Sequence, residues 1–552
     1  MLVRTGMHLS VVLLFFALLL AGCGGAPVAT APTAPAATQA PVTPTSAPNA
    51  TAPTATGVPT PKATAPTATG VPTPKATVAA APHGTLRFGF LNRFLTWDPH
   101  QEQRPIAIMG YQLVYDALVN EDSNGGIVPG LATAWTQTAT SVEFTLREGV
   151  VFHDGTSFDA AAAKANLLHA RDNGAPTIKQ QLTAIEDVAV IDATHIRLKL
   201  TKPVPDLLNN LARMAGMMIS PTSFATAKEL PVGTGPWVFN AAESKADAQY
   251  VFDAFPRFWD PQQQQLQRIV LLILPDQTSA LNALRSGEID AAPVTNPSNV
   301  AQLQAEGYAI LANDLSPLGL QILDRNGTIV PAFADKRVRL ALSYAIDRQT
   351  LIDTVLSGYG KATTQRSKPG QYGYANDIVD LNYNPARARA LLAEAGVQNL
   401  EFSIPSGGVL PEAEAIVGFF KAVGVTMKLE IVAPGTVVQE AASGKWPAVI
   451  VPLSEPHIAT FIANRVLKTG SMNPFRIEEP DLEALAAKAR TLPPAEAEPL
   501  WAQLSRETAQ RGIIVNFYTT PSLIATSPKV KGGTVGYFKP SVLELRGVAI
   551  ED

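Results

Sequence analysis

Residues 24 to 82 exclude more folds than any other stretch of this 552-residue chain. They hold 13 of its 45 prolines and only two charges, Lys62 and Lys75, and the rest is almost all Ala, Thr, Gly and Val. Thr51 to Ala63 reads TAPTATGVPTPKA, and Thr64 to Ala76 repeats it, a period of 13. A segment so poor in large apolar side chains cannot bury enough area to offset its chain entropy, and its prolines favour extended polyproline II. It reads as a semi-rigid spacer. Two copies of so short a period are not a solenoid signal. The Thr-Pro richness also permits O-glycosylation.

What precedes the spacer reads as an address. Arg4 supplies a positive start, and Leu9 to Ala21 is a 13-residue apolar run. That length suits a signal-peptide core and falls short of the roughly 20 residues a spanning helix needs. The run ends Leu20-Ala21-Gly22-Cys23, which is similar to a bacterial lipobox, and Cys23 is the single cysteine. Residues 1–22 are therefore expected to be a signal peptide. Residues 23–83 are expected to be a lipidated Cys23 followed by a disordered linker, a tether that holds a soluble body at the outer face of a membrane.

Charge and motifs narrow the function. Against 47 acidic residues stand 43 Lys and Arg, a net charge of −4, which leaves no electrostatic footprint for nucleic acid or an acidic membrane surface. One cysteine excludes a disulfide framework and a Cys-cluster zinc site. The chain has no Gly-x-Ser-x-Gly, no His-Glu-x-x-His and no Walker motif, so an enzyme is not expected. The seven histidines, at 8, 83, 100, 153, 169, 195 and 457, form no i, i+4 metal pair. No metal and no cofactor are expected.

From Gly84 to the end the pattern is globular and mixed α/β. Leu86, Phe88 and Phe90 alternate with Arg87 and Gly89, as Val142, Phe144 and Leu146 do with Glu143 and Thr145, and Ile196, Leu198 and Leu200 alternate likewise. Asp159 begins a helix that Asn173-Gly174 stops. A buried strand over Ile269–Leu274 precedes a helix over about Thr278–Ser286. Asp335 caps the next helix, and Asn384-Pro385 opens another that Gly396 closes. Strands near Phe402, Lys428–Ile431 and Val449–Val451 follow. Helices around Leu482–Arg490 and Ala495–Gln510 precede a last strand, Ile513–Phe517. His153-Asp154-Gly155 is read as a tight turn. Gly233-Thr234-Gly235-Pro236 is read as a crossing between domains, since it lacks the Gly-Lys-Ser/Thr end of a phosphate loop. Arg337 and Arg339 are read as solvated or ion-paired.

Several blocks in order resemble a known family. They are Trp97-Asp98-Pro99-His100, Tyr115-Asp116-Ala117-Leu118-Val119, Ile127 to Trp135 (IVPGLATAW) and Phe144 to Thr156 (FTLREGVVFHDGT). Pro231 to Trp237 (PVGTGPW), Leu284 to Asp290 (LRSGEID), Phe333 to Arg339 with Ala345-Ile346-Asp347-Arg348, and Tyr383-Asn384-Pro385 with Leu391 to Gly396 complete the series. Each block alone is weak, but together they resemble the bacterial extracellular solute-binding proteins of family 5, the peptide and nickel transporter type. The resemblance implies a type II periplasmic-binding-protein-like α/β fold, a three-domain clamp of two lobes. It places domain I over 84–116, 231–312 and 516–552, domain II over 117–230 and domain III over 313–515. It further implies a monomer that captures a peptide or other small solute, works with ABC permease subunits and stays at the membrane through its lipid anchor. A sensing or adhesive surface lipoprotein using the same clamp, without transport, is the alternative.

The resemblance also supplies candidate ligand residues from loops that face the cleft in the family. They are Asn92, Arg93 and Trp97 after the first strand, with Phe94 beside them, and Met214 and Met217 in the domain II return, with Arg213. In domain III they are Arg325 and Asn326, then Ser454, Glu455 and His457. Peptide binders of the family usually carry a Trp followed by an Asp at that last segment, and the Asp pairs with the peptide ammonium. Here Leu453-Ser454-Glu455 stands instead, so Glu455 would have to replace that Asp, because a desolvated ammonium without a carboxylate is costly. A saccharide would stack on Trp97 or Trp446. Nickel and haem binders occur in the family, which makes His100 and His457 the histidines to follow.

Overall fold

A computed structural model describes residues 81–102, 104–379, 381–433, 435–455, 457–536, 539 and 542–551. The expected signal peptide, Cys23 and the spacer up to residue 80 lie outside the described residues, as does Pro456, and His83, expected to end the linker, instead begins the first strand.

The largest sheet has nine strands: β1 (His83–Phe90), β2 (Trp237–Phe239), β3 (Gln249–Ala254), β4 (Leu266–Ile273), β5 (Ala291–Val294), β6 (Ala309–Ile322), β7 (Lys361–Ala362), β8 (Ala448–Pro452) and β9 (Ile514–Thr526). Their order is β8-β6-β9-β5-β1-β4-β3-β2, and β7 pairs with β9 from the side. The period-2 pattern of β1 buries Leu86, Phe88 and Phe90 and exposes Arg87. A separate four-stranded antiparallel sheet joins Ala132–Gln137, Ser141–Leu146, His195–Leu200 and Ile185–Val190. One hydrophobic core runs through both regions, from Leu86 past Phe144 and Met217 to Ile550, and makes them one lobe. Two further cores pack on opposite faces of β6, β8 and β9 and make the second lobe: Leu320, Ile322 and Ala448 point into one, and Val449, Val451 and Ile514 into the other.

Helix starts follow the side-chain caps. The carboxylates of Asp159, Asp276, Asp335 and Asp347 accept backbone N–H bonds at the starts of Ala160–Asn173, Gln277–Ser286, Lys336–Ala345 and Arg348–Val355. Asn384 does the same before Pro385–Glu394, with Pro at the first turn. After Gly174 a second short helix, Pro176–Leu182, follows at once, and sequence reading did not separate it. The last strand is also longer than expected and reaches Thr526. It is long because it belongs to both lobes.

Two kinds of connection join the lobes and their parts. The first is the pair β6 and β9, antiparallel from Ala309↔Thr526 to Gln321↔Ile514. Their outer halves sit beside β5 in the first lobe, and their inner halves pair with β8 and β7 in the second. The ladder breaks register between Asp314 and Pro317 and again between Leu318 and Gly319, where it passes from one lobe to the other.

The second connection centres on Asp116, only 2% exposed. Its Oδ2 accepts from Thr234 Oγ1 and from Trp259 Nε1, both at 2.9 Å, and its Oδ1 pairs with Arg546. The Gly233-Thr234-Gly235 segment runs hard against the chain leaving toward residue 117. A Cβ on Gly233 would lie 2.1 Å from the Val114 carbonyl oxygen, and one on Gly235 2.6 Å from the Val114 carbonyl carbon. Gly235 N–H donates to Val114 O at 2.8 Å, and His153 donates from Nε2 to Gly235 O at 2.9 Å. His153-Asp154-Gly155 is a turn, with Gly155 at φ +88°. The Asp154 carboxylate accepts from Ser220 and Thr222 as well as Thr156, and these bonds hold its pKa down to about 2. Arg337 pairs with Asp335, and buried Arg339 donates to the carbonyls of Phe333 and Arg511.

Asp116→Ala strands three donors and leaves Arg546 without its carboxylate. Removing one partner of such a buried pair should lower unfolding free energy by about 3 kcal/mol. Urea denaturation should show an earlier midpoint with an unchanged slope; an unchanged midpoint would mean that this carboxylate does not hold the crossing together.

Candidate functional site

In sheets of this kind ligands meet loops at strand ends. β8 ends at Pro452, where Leu453 N–H donates to Pro317 O at 2.8 Å and turns the chain toward the other lobe. Ser454 and Glu455 follow, and His457 caps the helix Ile458–Arg465. Both Glu455 oxygens accept from Arg465 Nε, at 2.8 and 2.9 Å, and the Glu455 carbonyl accepts from Arg366. Arg465 also reaches Gln321 Oε1 at 2.9 Å. His457 Nδ1 accepts from Ala459 N–H at 3.1 Å, so the neutral ring carries its proton on Nε2. Burial lowers its pKa to about 4; Arg366 pushes it further down, and Asp206 from the facing lobe pulls it up. Its ring lies 5.3 Å from that of Tyr372.

Two of the places where the lobes meet carry a cavity. At one, Thr460 Oγ1 donates to Asp206 Oδ2. A space of about 500 Å³ opens there, lined by Gln180, Gln181 and Asn210 from the first lobe and by Asn464 and Arg490 from the second. At the other, Gln371 Nε2 donates to Asn124 O at 2.9 Å and Asn313 Nδ2 to Ser123 O at 3.4 Å. A cavity of about 520 Å³ lies there, at the register break of β6. Its lining is polar: Asn124, Thr363, Ser367, Asn382 and Thr519 among neutral groups, with Asp314, Arg348, Lys361 and Lys368 as the charged ones. Both sites are built from uncharged hydrogen-bonding groups with a few charges, a lining suited to a small polar solute.

The candidates from sequence fall into three groups. Ser454, Glu455 and His457 stand between the end of β8 and the helix Ile458–Arg465, outside the lining of both cavities, and the Glu455 carboxylate is already engaged by Arg465. Arg325 and Asn326 lie at the other end of the strand pair. Leu318 faces Pro452 and Ile322 faces Ala448, so residues beyond 322 run away from residue 453, about 20 Å off at 3.3 Å per residue. Arg325 is buried there near Glu479 (Nε–Oε1 3.6 Å) and bonded to the carbonyl of Val466, and burial lowers its pKa to about 10; Asn326 is exposed. The third group lies in the first lobe. Asn92 and Arg93 are exposed and Met214 and Met217 are core. Arg213 pairs with Glu121 at 2.8 Å. Trp97 is stacked on Phe94 at 4.3 Å and flanked by Tyr111, Phe239, Tyr250 and Phe252, which leaves no ring face for a sugar. Trp446 bonds Glu440 before β8 begins, also away from residue 453.

His100 is buried, donates from Nε2 to Met217 O at 3.0 Å and meets His169 Nδ1 at 3.3 Å. Among the described residues no group of three His, Cys, Asp or Glu side chains is placed to hold a metal ion. Sequence reading missed Asp206, Thr460, Asn124, Gln371 and Lys368. Each is an ordinary polar residue in its own loop and gains meaning only from the lobe opposite.

The His457 ring sets a pH dependence. Its folded pKa, about 4, is below the unfolded value of 6.5, so its stability contribution is complete above pH 6.5 and lost as pH falls toward 4. His457→Asn keeps a capping acceptor without the titration. Between pH 6.5 and 4.5 the variant should lose about 2 kcal/mol less stability than the wild type in urea melts; parallel losses would place the neutral imidazole elsewhere.

Comparison with known proteins agrees with this architecture. HbpA2 from Haemophilus parasuis superposes with a TM-score of 0.75 over 85% of this chain and 100% of its own, at 21% identity. An ABC transporter substrate-binding protein from Sinorhizobium meliloti gives 0.73 over 85% and 100%, at 25% identity. The fold is that of the type II periplasmic binding proteins. In sequence, the glutathione-binding protein GsiB of Shigella flexneri is 31% identical over 316 residues, 56% of this chain. That match spans 60% of the relative's length. Among the described residues no helix is long and apolar enough to cross a membrane. The model of the bacterial extracellular solute-binding proteins, family 5 middle region, matches residues 126–456, and this chain belongs to that family of binding proteins, not enzymes.

Proposed function

We propose that this protein is the substrate-binding component of an ABC importer, capturing a small solute or peptide between its two lobes and delivering it to a permease. The observation that carries the reading is the pair of polar cavities where the lobes meet, in a chain of a solute-binding family. The relatives bind varied cargo: glutathione for GsiB, and the peptide STSA for DppA of Helicobacter pylori. A saccharide is disfavoured, because Trp97 has no free face and Trp446 lies away from residue 453. A peptide would be held without an Asp at the family's ammonium position, and Glu455 would have to share Arg465 to serve there. The domain division proposed is 84–116, 231–312 and 516–552 for domain I, 117–230 for domain II and 313–515 for domain III. The anchor proposed is a lipid on Cys23, with the spacer giving reach.

A thermal-shift panel on the full chain tests the capture reading, with glutathione, di- to tetrapeptides, maltotriose, Ni²⁺ and haem as probes. A ligand at 100 times its dissociation constant adds about 2.7 kcal/mol, or about 3 °C in a chain of this size. Peptides or glutathione should raise the midpoint and maltotriose should not; a panel with no responder would contradict the reading. Cys23→Ser should move the protein from the membrane to the soluble fraction, and retention at the membrane would contradict the anchor.

A further inference from the structure

The cavity at the register break of β6 carries an unbalanced charge. Among the described residues, Asp314 is the one acidic side chain in its wall, beside Lys361, Lys368 and Arg348. The Asp314 carboxylate meets both lysines through the same oxygen, Oδ2, at 3.2 Å from Lys361 Nζ and 3.5 Å from Lys368 Nζ. Lys368 Nζ also donates to the Asp314 carbonyl at 3.0 Å. The Lys368 side chain is 19% exposed and that of Lys361 78%, so one ammonium is held in the wall and the other swings at the rim. Arg348 is 5% exposed, and its described bonds all go to neutral acceptors: the carbonyls of Asn516, Ser343 and Leu381 and the Ser343 hydroxyl. Burial lowers its pKa to about 10. Three cations around one anion in a cavity of about 520 Å³ attract a second anion, and the low-dielectric wall strengthens that attraction. Thr363, Ser367 and Thr519 add hydroxyl groups to the wall. Asn124, which comes from the opposite lobe, closes one side, so anything bound there is touched by both lobes.

We propose that this cavity is the acid subsite of the cleft, taking a carboxylate of the captured solute between the ammonium groups of Lys361 and Lys368 with Arg348 in the wall. The proposal rests on the capture reading and narrows it: the cargo bears a carboxylate. Lys368 anchors the acid from inside the cavity. Lys361 closes over it from the rim as it exchanges contact with Asp314 for contact with the ligand.

Glutarate, a dianion without an ammonium group, probes the subsite whatever the natural cargo is. The full chain is melted in 50 mM glutarate and in its neutral isostere glutaramide at matched ionic strength. Wild type should melt several degrees higher in glutarate and unchanged in glutaramide. Lys361→Ala, at an exposed position where folding is not at stake, should at least halve the shift, and Lys368→Met should abolish it. Lys445→Ala, an exposed lysine outside this cavity, should keep it in full. Equal shifts with glutaramide, no shift in wild type, or undiminished shifts in the two lysine variants would each overturn the subsite. The capture reading fails separately. A glutarate effect with no responder among the solutes leaves the subsite standing and removes capture of those solutes. A responding solute indifferent to both lysines keeps capture and removes the acid subsite.

Discussion

A single buried carboxylate, Asp116, holds the first lobe in one piece. It receives the Thr234 hydroxyl, the Trp259 indole and the Arg546 guanidinium, groups from three distant parts of the chain. A buried charge is tolerated only when its lone pairs are met, so each donor is required once the carboxylate is there. The glycines at 233 and 235 then become necessary, because the returning strand lies against the Val114 backbone with no room for a side chain. The Arg147 guanidinium, 4.0 Å over the Trp259 ring, fixes the indole that feeds the same carboxylate. The sequence blocks that identify the family around residues 115, 147, 153 and 233 are thus mostly one structural unit.

The second lobe hangs from this unit by β6 and β9. Long paired strands resist stretching but bend where their register breaks, and the breaks at Asp314–Pro317 and Leu318–Gly319 fall where the sheet leaves one core for the other. One of the polar cavities lies at that place. The same strands that join the lobes therefore set Asp314 and Thr519 into its wall. Under the proposed capture, motion between lobes and occupancy of that cavity would be coupled through these shared residues, as a population shift between open and closed states requires.

Much of this was legible in the sequence for local reasons. Period-2 alternation found β1 and the strands at Val142 and Ile196, and Asp or Asn before an apolar run found the capped helices at 160, 336 and 385. Helix and turn chemistry acts over a few residues, so one chain suffices to read it. The ligand candidates were harder. Trp97 looks like a stacking platform until five aromatic neighbours from residues 94 to 252 are seen to cover it. Arg325 and Glu455 both belong to the second lobe, yet strand register sets them at opposite ends of a sheet. Asp206 and Thr460 are 254 residues apart and touch only because two lobes meet. Nothing in a local pattern encodes such a pairing.

The central claim is that the two lobes close on a solute. The direct measurement is the distance between spin labels on Glu186→Cys in the first lobe and Lys488→Cys in the second, by pulsed electron resonance, with Cys23→Ser as the background. Glutathione, or whichever panel solute raises the midpoint most, is added to saturation. The account predicts a shorter and narrower distance distribution with solute bound. An unchanged distribution, with binding verified in the same sample, would contradict it.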